Sequence, residues 1–228
     1  MSNKKSRQNN RLWTAGIIAV VAALVIAYFV SNNETPIDPA SFADLEVFED
    51  QTHIKGNPDV EFVLVEYSDL ECPACKNTAP ILDTLTETFA DQLAIEYRHF
   101  PLTTIHPNAL EAARATEAAA VQGKFWEMHD KLFETQGVAS EWTQSFNPEK
   151  YFIEYAEELG LNVDRFRFDL ESDEIADRVR ADIDAGKDAG VTGTPGFTLN
   201  GEIVDLNQFI VENLDISRLE VVEEESAE

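Results

Sequence analysis

The sequence predicts an α/β domain that follows an apolar N-terminal segment, and three observations lead to this fold class. Between residues 61 and 100, a strand-like run, a helical run and a second strand-like run follow one another. A long stretch of helical periodicity comes next, and it ends at two short strand-like runs joined by an Asn-Gly dipeptide. A chain of 228 residues can bury one sizeable core, so we expect one domain with appended terminal segments.

The domain is predicted to begin with a strand, a helix and a second strand. Residues 61–67 are rich in β-branched and aromatic side chains, which favours a buried strand. Apolar residues then recur at helical spacing, so we expect a helix that begins at Cys72 and ends near Ala90. Residues 93–100 are the second predicted strand, and the right-handed crossover of such a unit makes its two strands parallel.

A helical insertion is predicted to separate this unit from a final hairpin. The insertion covers about residues 105–190, and its helical patterns lie at 108–122, 124–134, 148–159 and 174–189. Two short strands at 196–199 and 202–204 flank Asn200-Gly201, the preferred dipeptide of a type I′ turn. A helix from residue 206 to about 214 is expected to follow the hairpin.

The run Leu12–Val30 is apolar except for Thr14 and predicts a transmembrane helix. Its 19 residues would form a helix of roughly 28 Å, close to the hydrocarbon thickness of a bilayer. Basic side chains precede the run and acidic ones follow, so we expect residues 1–11 in the cytoplasm and the domain outside. The alternative is a cleaved signal peptide, but the run exceeds a usual signal h-region, and the best small-residue cleavage site lies inside it.

Two polar segments are predicted to flank the domain, which we place at residues 56–219. Residues 31–55 lack periodicity and predict a juxtamembrane linker, while residues 220–228 predict a disordered acidic tail. After residue 30 the chain has 13 basic and 43 acidic residues, because four of the 17 Lys and Arg residues precede that point. Such a negative field repels phosphate backbones, so we expect no nucleic-acid partner.

The only two cysteines stand in the run Cys72-Pro73-Ala74-Cys75. A disulfide across so short a loop would restrain the unfolded chain very little, so a chemical role is favoured over a structural one. The thiolate is the nucleophile of thiol-disulfide exchange, and the N–H groups of a helix N-terminus would favour it at Cys72. Cys75, nearly one turn later, would be more buried and would resolve a mixed disulfide.

Metal binding is the alternative role for the cysteine pair. A zinc site needs two more ligands, but there is no second CxxC, and the four histidines are scattered along the chain at His53, His99, His106 and His129. A c-type haem site requires His after the second cysteine, where this chain has Lys76. A bare CxxC can bind copper(I), so a copper(I) carrier stays open as an alternative.

Two further positions each allow a functional and a structural interpretation. Glu66 lies near the end of the predicted buried strand, where its carboxyl group could exchange a proton with Cys75 or could simply reach solvent. Thr194-Pro195 precedes the hairpin and fits either an ordinary loop or a cis peptide that exposes a backbone edge to substrate.

The order of these motifs resembles the DsbA-like branch of the thioredoxin superfamily over about residues 56–214. Further similar segments lie at 97–102, 106–109 and 124–130. The resemblance implies a thioredoxin-like fold with a helical insertion between the CxxC unit and a cis-proline hairpin. It also implies a protein thiol-disulfide oxidoreductase that needs no cofactor.

The same resemblance implies roles for individual residues and partners. Cys72 would be the surface nucleophile, Cys75 the resolving thiol and Glu66 the buried acid. Pro195 would be the cis-proline, with substrate contact at Thr194. The implied partners are exported proteins with thiols or disulfides and a membrane redox protein. We expect a monomer, because the linker is too short for a dimerisation domain.

One departure from the family concerns the residues around the cysteines. The best-known DsbA oxidases carry Pro-His between the cysteines, whereas this chain carries Pro73-Ala74. Asp69 and Glu71 would also oppose a thiolate on Cys72 if they lie close to it. Both features predict a less oxidising centre than that of DsbA, with oxidation of exported proteins favoured and disulfide reduction as the alternative.

Overall fold

The computed structural model describes residues 52–138 and 141–219. The predicted transmembrane segment at 12–30, the acidic tail at 220–228 and nearly all of the predicted linker lie outside the described residues. In the part of the chain that is described, no helix combines the length and apolar character needed to cross a membrane.

A five-stranded sheet forms the centre of the described domain, with strand order β1-β3-β2-β4-β5. The strands are β1 (His53–Lys55), β2 (Phe62–Ser68), β3 (Leu93–His99), β4 (Gly196–Leu199) and β5 (Glu202–Val204). Strands β2 and β3 are parallel, and the other neighbours are antiparallel. The parallel pair confirms the strand-helix-strand unit predicted from the sequence.

Helices cover this sheet and form the predicted insertion. In the described residues they are α1 (Pro73–Thr88), α2 (Ala109–Ala120), α3 (Phe125–Thr135), α4 (Glu149–Glu158), α5 (Val163–Leu170), α6 (Asp173–Asp188) and α7 (Leu206–Asn213). The sequence patterns predicted all of them except α5, which has only eight residues and begins at an Asn162 side-chain cap. The hairpin is also confirmed, with Asn200 and Gly201 at positive φ of 55° and 83° as a type I′ turn requires.

Strand β1 corrects the predicted boundary between linker and domain. Residues 53–55 were assigned to the linker, but they pair antiparallel with residues 95–97 of β3. The folded domain therefore begins before Gly56. Three residues are too few to display an alternating pattern, so the strand is formed by its partner rather than by a local sequence signal.

The interior contains two main apolar clusters, one between the sheet and α1 and one in the helical insertion. Leu64, Leu82 and Leu85 belong to a cluster that joins β2 to α1 and reaches α7. The second cluster fills the helical insertion around Trp142 and also includes Cys75. The insertion therefore packs directly behind the cysteine pair.

A buried ionic cluster links β1 and β3 to the insertion. The ring Nε2 atoms of His53 and His99 lie 2.6 Å and 3.2 Å from the same carboxylate oxygen of Glu117 on α2. Arg178 of α6 lies 3.9 Å from the other oxygen of that carboxylate. Burial acts to raise the pKa of Glu117, but the two histidine contacts outweigh it and lower the pKa to about 2. Two histidines that are scattered in the sequence are thus neighbours in the fold.

We predict that Glu117→Ala destabilises the domain by about 3–5 kcal/mol, because it leaves two buried histidines and Arg178 without their carboxylate. Chemical denaturation at neutral pH measures this change. The exposed Glu111 on the same helix is the matched control, and Glu111→Ala is expected to cost less than about 1 kcal/mol.

The stability difference between wild type and Glu117→Ala is also expected to depend on pH. The pKa of Glu117 is lower in the folded domain than its ordinary value of 4.5, so its contribution is fully present above about pH 4.5 and is lost as pH falls toward 2. The stability difference between wild type and Glu117→Ala should shrink over that window. An equal difference at pH 7 and pH 3 would contradict the proposed ionic role of the cluster.

Candidate active site

The cysteine pair lies where the parallel strand β2 delivers the chain to the start of α1. Cys72 caps the helix with extended backbone angles, φ −78° and ψ 122°, and Pro73 occupies the first helical turn. Proline suits this position because its missing N–H would have had no partner there. Both cysteines are free thiols, and Cys72 is 7% exposed whereas Cys75 is fully buried.

The environment of Cys72 favours its thiolate. A hydrogen bond from Cys75 makes the largest contribution and lowers the pKa of Cys72 to about 5, although burial acts in the opposite direction. The Thr194 hydroxyl and the backbone N–H groups of Ala74 and Cys75 lower the pKa further. These N–H groups are the unpaired donors of the helix N-terminus, as the sequence predicted.

The environment of Cys75 has the opposite effect. Burial raises the pKa of Cys75, and the sulfur of Cys72 raises it further. The backbone N–H of Asp69 lies 3.5 Å from the Cys75 sulfur and is too weak a donor to offset this burial. At neutral pH the pair therefore holds one thiolate, on Cys72, and one thiol, on Cys75.

Glu66 is buried on β2, with 4% of its surface exposed. Its partners in register are Tyr97 on β3 and Phe197 on β4. Burial raises the pKa of its carboxyl group to about 7, while the Ser68 hydroxyl and the Lys55 ammonium group partly offset this rise. Glu66 therefore does not reach solvent, which contradicts the structural interpretation that the sequence left open.

The loop before β4 faces the cysteine pair. The Thr194-Pro195 peptide bond is cis, which confirms the cis peptide predicted from the sequence. The sulfur of Cys72 lies 3.5 Å from the carbonyl oxygen of Thr194. A groove of about 650 Å³ runs beside this loop, lined by residues 191–197, by Ile81 of α1 and by Ile203 of β5 among others.

Asp69 and Glu71 bind the loop that follows β3. The Asp69 carboxylate accepts hydrogen bonds from the backbone N–H of Leu102 at 2.8 Å and contacts His106 Nδ1 at 2.7 Å. Glu71 accepts from the backbone N–H of Asn108 at 2.8 Å. The two carboxylates thus fix the neighbouring loop, and the pKa of Cys72 is low despite their presence.

Sequence reasoning missed three side chains at the site. Gln136, at the end of α3, donates from its side-chain amide to the carbonyl oxygens of Leu70 at 2.7 Å and Cys72 at 3.3 Å. The hydroxyl groups of Ser68 and Tyr97 are buried beside Glu66. Gln136 has no local signal, whereas Ser68 could have been found from its two-residue spacing from Glu66 on one strand.

The opposite pKa shifts of two thiols on one helical turn define the chemistry of the site. A stable thiolate can attack or leave at Cys72, while a buried thiol waits to close the disulfide. This arrangement defines the class of thiol-disulfide oxidoreductases. In the described residues no group of three or more His, Cys, Asp and Glu side chains is arranged to hold a metal ion.

Comparison with known proteins gives the same class. The family described as Thioredoxin matches residues 49–213. DsbA2 of Pseudomonas aeruginosa is 26% identical with a TM-score of 0.55, and the match covers 75% of this chain and 94% of that structure. BdbD of Bacillus subtilis is 20% identical with a TM-score of 0.58, over 79% of this chain and 95% of that structure.

A curated relative is similar over only part of its own length. The Na(+)/H(+) antiporter NhaA 1 of Mycolicibacterium vanbaalenii is 36% identical over 194 residues, which are 81% of this chain and 30% of the antiporter. This chain therefore spans less than a third of that relative.

The family match covers most of the chain, and the protein belongs to the thioredoxin family. The predicted resemblance to the DsbA-like branch is confirmed, and with it the mixed α/β fold with a helical insertion. The fold and the cysteine site match those of DsbA-like proteins.

We predict that the Cys72 thiol titrates at about pH 5, so that it is a thiolate at neutral pH and a thiol well below pH 5. The ultraviolet absorbance of the thiolate, followed from pH 3 to 9 in the reduced protein, measures this pKa. Cys72→Ser is the control, and it should show no thiolate near neutral pH because the pKa of Cys75 is raised. A midpoint near the free-cysteine value of about 8.5 would contradict the described environment.

Proposed function

We propose that this protein is a membrane-anchored, extracytoplasmic oxidoreductase that exchanges disulfides with exported proteins, in the oxidising direction. The observation that carries the proposal is the unequal acidity of Cys72 and Cys75 beside the loop of Thr194 and Pro195. The protein would work as a monomer and without a cofactor.

The oxidising reaction uses the cysteine pair as a disulfide. A substrate thiolate attacks the Cys72 sulfur, the Cys72–Cys75 bond breaks, and Cys75 leaves as a thiolate that takes up a proton. A second substrate thiolate then attacks the substrate sulfur of the mixed disulfide. The substrate disulfide forms, Cys72 leaves as a thiolate, and the two electrons remain on the reduced cysteine pair.

The low pKa of Cys72 supports the oxidising direction. Whatever stabilises the Cys72 thiolate stabilises the reduced form of the enzyme, so the disulfide form becomes a stronger oxidant. The absence of a histidine between the cysteines limits this effect relative to DsbA, since position 74 is Ala. A membrane redox partner would return the reduced pair to the disulfide.

Glu66 is the proposed acid and base for Cys75. A carboxyl group with a pKa of about 7 is partly protonated at neutral pH, so it can give a proton in one direction and accept one in the other. Cys75 needs such a proton donor and acceptor because it is buried and solvent does not reach its sulfur.

The proposed substrate site is the backbone at Thr194 and Pro195 together with the adjoining groove. An extended peptide could pair with this backbone while its cysteine reaches Cys72. Ile81 and Ile203 line the groove and are 51% and 57% exposed, so they offer apolar contacts to an unfolded chain. Recognition through backbone and apolar contacts suits many different exported substrates.

The proposed anchor is the apolar run 12–30, with the catalytic domain outside the cytoplasm. The basic residues before the run and the acidic domain after it support this orientation. An extracytoplasmic location also fits the chemistry, because disulfides form and persist in oxidising compartments.

We predict that Cys72→Ser abolishes oxidation of a reduced, unfolded disulfide protein, because the attacked sulfur is gone. Cys75→Ser, mixed with the disulfide form of the same substrate, should instead accumulate a mixed disulfide, because the Cys72 thiolate attacks the substrate disulfide, one substrate thiolate leaves, and no second enzyme thiol resolves the product. Non-reducing electrophoresis detects this species as a shifted band. The domain starting at Ser31 is the enzyme in this assay. If Cys72→Ser oxidises the substrate as fast as wild type does, the proposed function is wrong.

The direction of exchange is measured with the same enzyme and two forms of one substrate. Oxidation of the reduced substrate should be faster than reduction of its disulfide form when the enzyme starts as disulfide and as dithiol, respectively. Faster reduction would reverse the proposed direction and leave the class unchanged.

We predict that the full-length chain stays in the membrane fraction after a carbonate wash, because a spanning helix is not released by high pH. A chain that starts at Ser31 is the control and should be soluble. Added protease should digest the domain from the outer face of intact spheroplasts. Release of the full-length chain by carbonate would contradict the anchor.

A further inference from the structure

Two buried hydroxyl groups, on Ser68 and Tyr97, lie on the same face of the sheet as Glu66, the proposed proton donor and acceptor for Cys75. Ser68 follows Glu66 by two residues on β2, so both side chains point to the face that packs against α1. Tyr97 is the register partner of Glu66 on the parallel strand β3. Cys75 lies on α1 above this face, with its sulfur 3.5 Å from the backbone N–H that follows Ser68.

All four groups are removed from solvent. Ser68 is 1% exposed, Tyr97 is 2%, Glu66 is 4% and Cys75 is 0%. A proton that moves between Cys75 and Glu66 must therefore travel through the protein interior.

The hydroxyl groups of Ser68 and Tyr97 also lack hydrogen-bond partners in the reduced enzyme. Neither oxygen makes a hydrogen bond of ordinary geometry to another described residue. Buried hydroxyl groups are normally bonded, so two unbonded ones on the face that carries Glu66 need an explanation. A hydroxyl group that alternates between two hydrogen-bond partners has no fixed partner in a single structure.

Ser68 is the group that links the sulfur to the carboxyl. Its hydroxyl lowers the pKa of Glu66, of Cys75 and of Tyr97, so it lies close to all three. The main contributions to the pKa of Glu66 and of Cys75 both include Ser68, and neither includes the other residue of the pair. Ser68 is therefore close enough to both groups to connect the sulfur with the carboxyl group.

We propose that the Ser68 hydroxyl passes the proton between Cys75 and Glu66, and that the Tyr97 hydroxyl positions Ser68. The proposal rests on the proposed function, in which Cys75 gains and loses a proton. When the disulfide opens, the Cys75 thiolate takes the Ser68 proton and Ser68 takes the Glu66 proton, which leaves a carboxylate. When the disulfide closes, each proton moves back, the Cys75 thiolate attacks the Cys72 sulfur of the mixed disulfide, and the substrate sulfur leaves as a thiolate.

The test measures the reduction of the Cys72–Cys75 disulfide by glutathione in the full-length protein. In this step the bond opens and Cys75 takes up a proton, so the rate per glutathione thiolate reports the relay. For wild type, the rate should fall as pH rises through about 7, where Glu66 loses its proton. Ser68→Ala should reduce the rate about tenfold or more below pH 7 and remove this inflection.

Two further variants separate a relay from a structural role. Ser68→Thr retains the hydroxyl and should restore the inflection. Ser68→Ala in a Glu66→Gln background should cause no further loss, because both act in one path. Thr198→Val is the matched control, since Thr198 is a buried residue of β4 that pairs with Val65 and points to the other face of the sheet. It should leave both the rate and the inflection unchanged.

The outcomes distinguish the relay from the proposed function. A wild-type protein that is inert toward glutathione overturns both. An active wild type whose rate and inflection survive Ser68→Ala overturns the relay alone. If Ser68→Ala does not fold, Tyr97→Phe decides, because it removes one oxygen and should lower the rate below pH 7 by severalfold without moving the pKa of Cys72.

Discussion

The stabilisation of a negative charge on Cys72 at the start of α1 is the interaction on which the site depends. A helix that begins at the cysteine, a second thiol one turn later and the side chain of Thr194 favour this charge. The helix starts at the carboxyl end of the central strand β2. Because β4 is antiparallel to β2, the loop before β4 lies at the same end of the sheet. The fold therefore gives the two sulfurs different environments: one favours a thiolate and the other favours a thiol.

Elements with several residues and a regular apolar pattern were predictable from the sequence. β2, α1 and β3 have seven or more residues each, and their patterns match their burial. β1 and α5 were not predicted, because β1 lacks the neighbouring Asn-Gly turn that marked the equally short β5, and α5 has a charged surface. Both elements form because the rest of the domain is there to pair and pack with them.

The residues of the site also differ in whether the sequence could identify them. Cys72, Cys75 and Pro195 stand in motifs that carry their own signal, so the sequence identified them. The Gln136 contact with Leu70 and the meeting of His53 and His99 at Glu117 join residues far apart in the chain. One sequence has no signal for such contacts, since nothing local distinguishes these side chains from others of their type.

The membership of Cys75 in the apolar cluster of the insertion links the chemistry to residues outside the motif. Met128, Phe133 and Trp142 share that cluster, so their volume sets how completely water is excluded from the sulfur. Desolvation is the main reason that Cys75 keeps its proton. A lineage can thus retune the acidity of its inner thiol by repacking the insertion, while every residue that a client polypeptide touches stays the same.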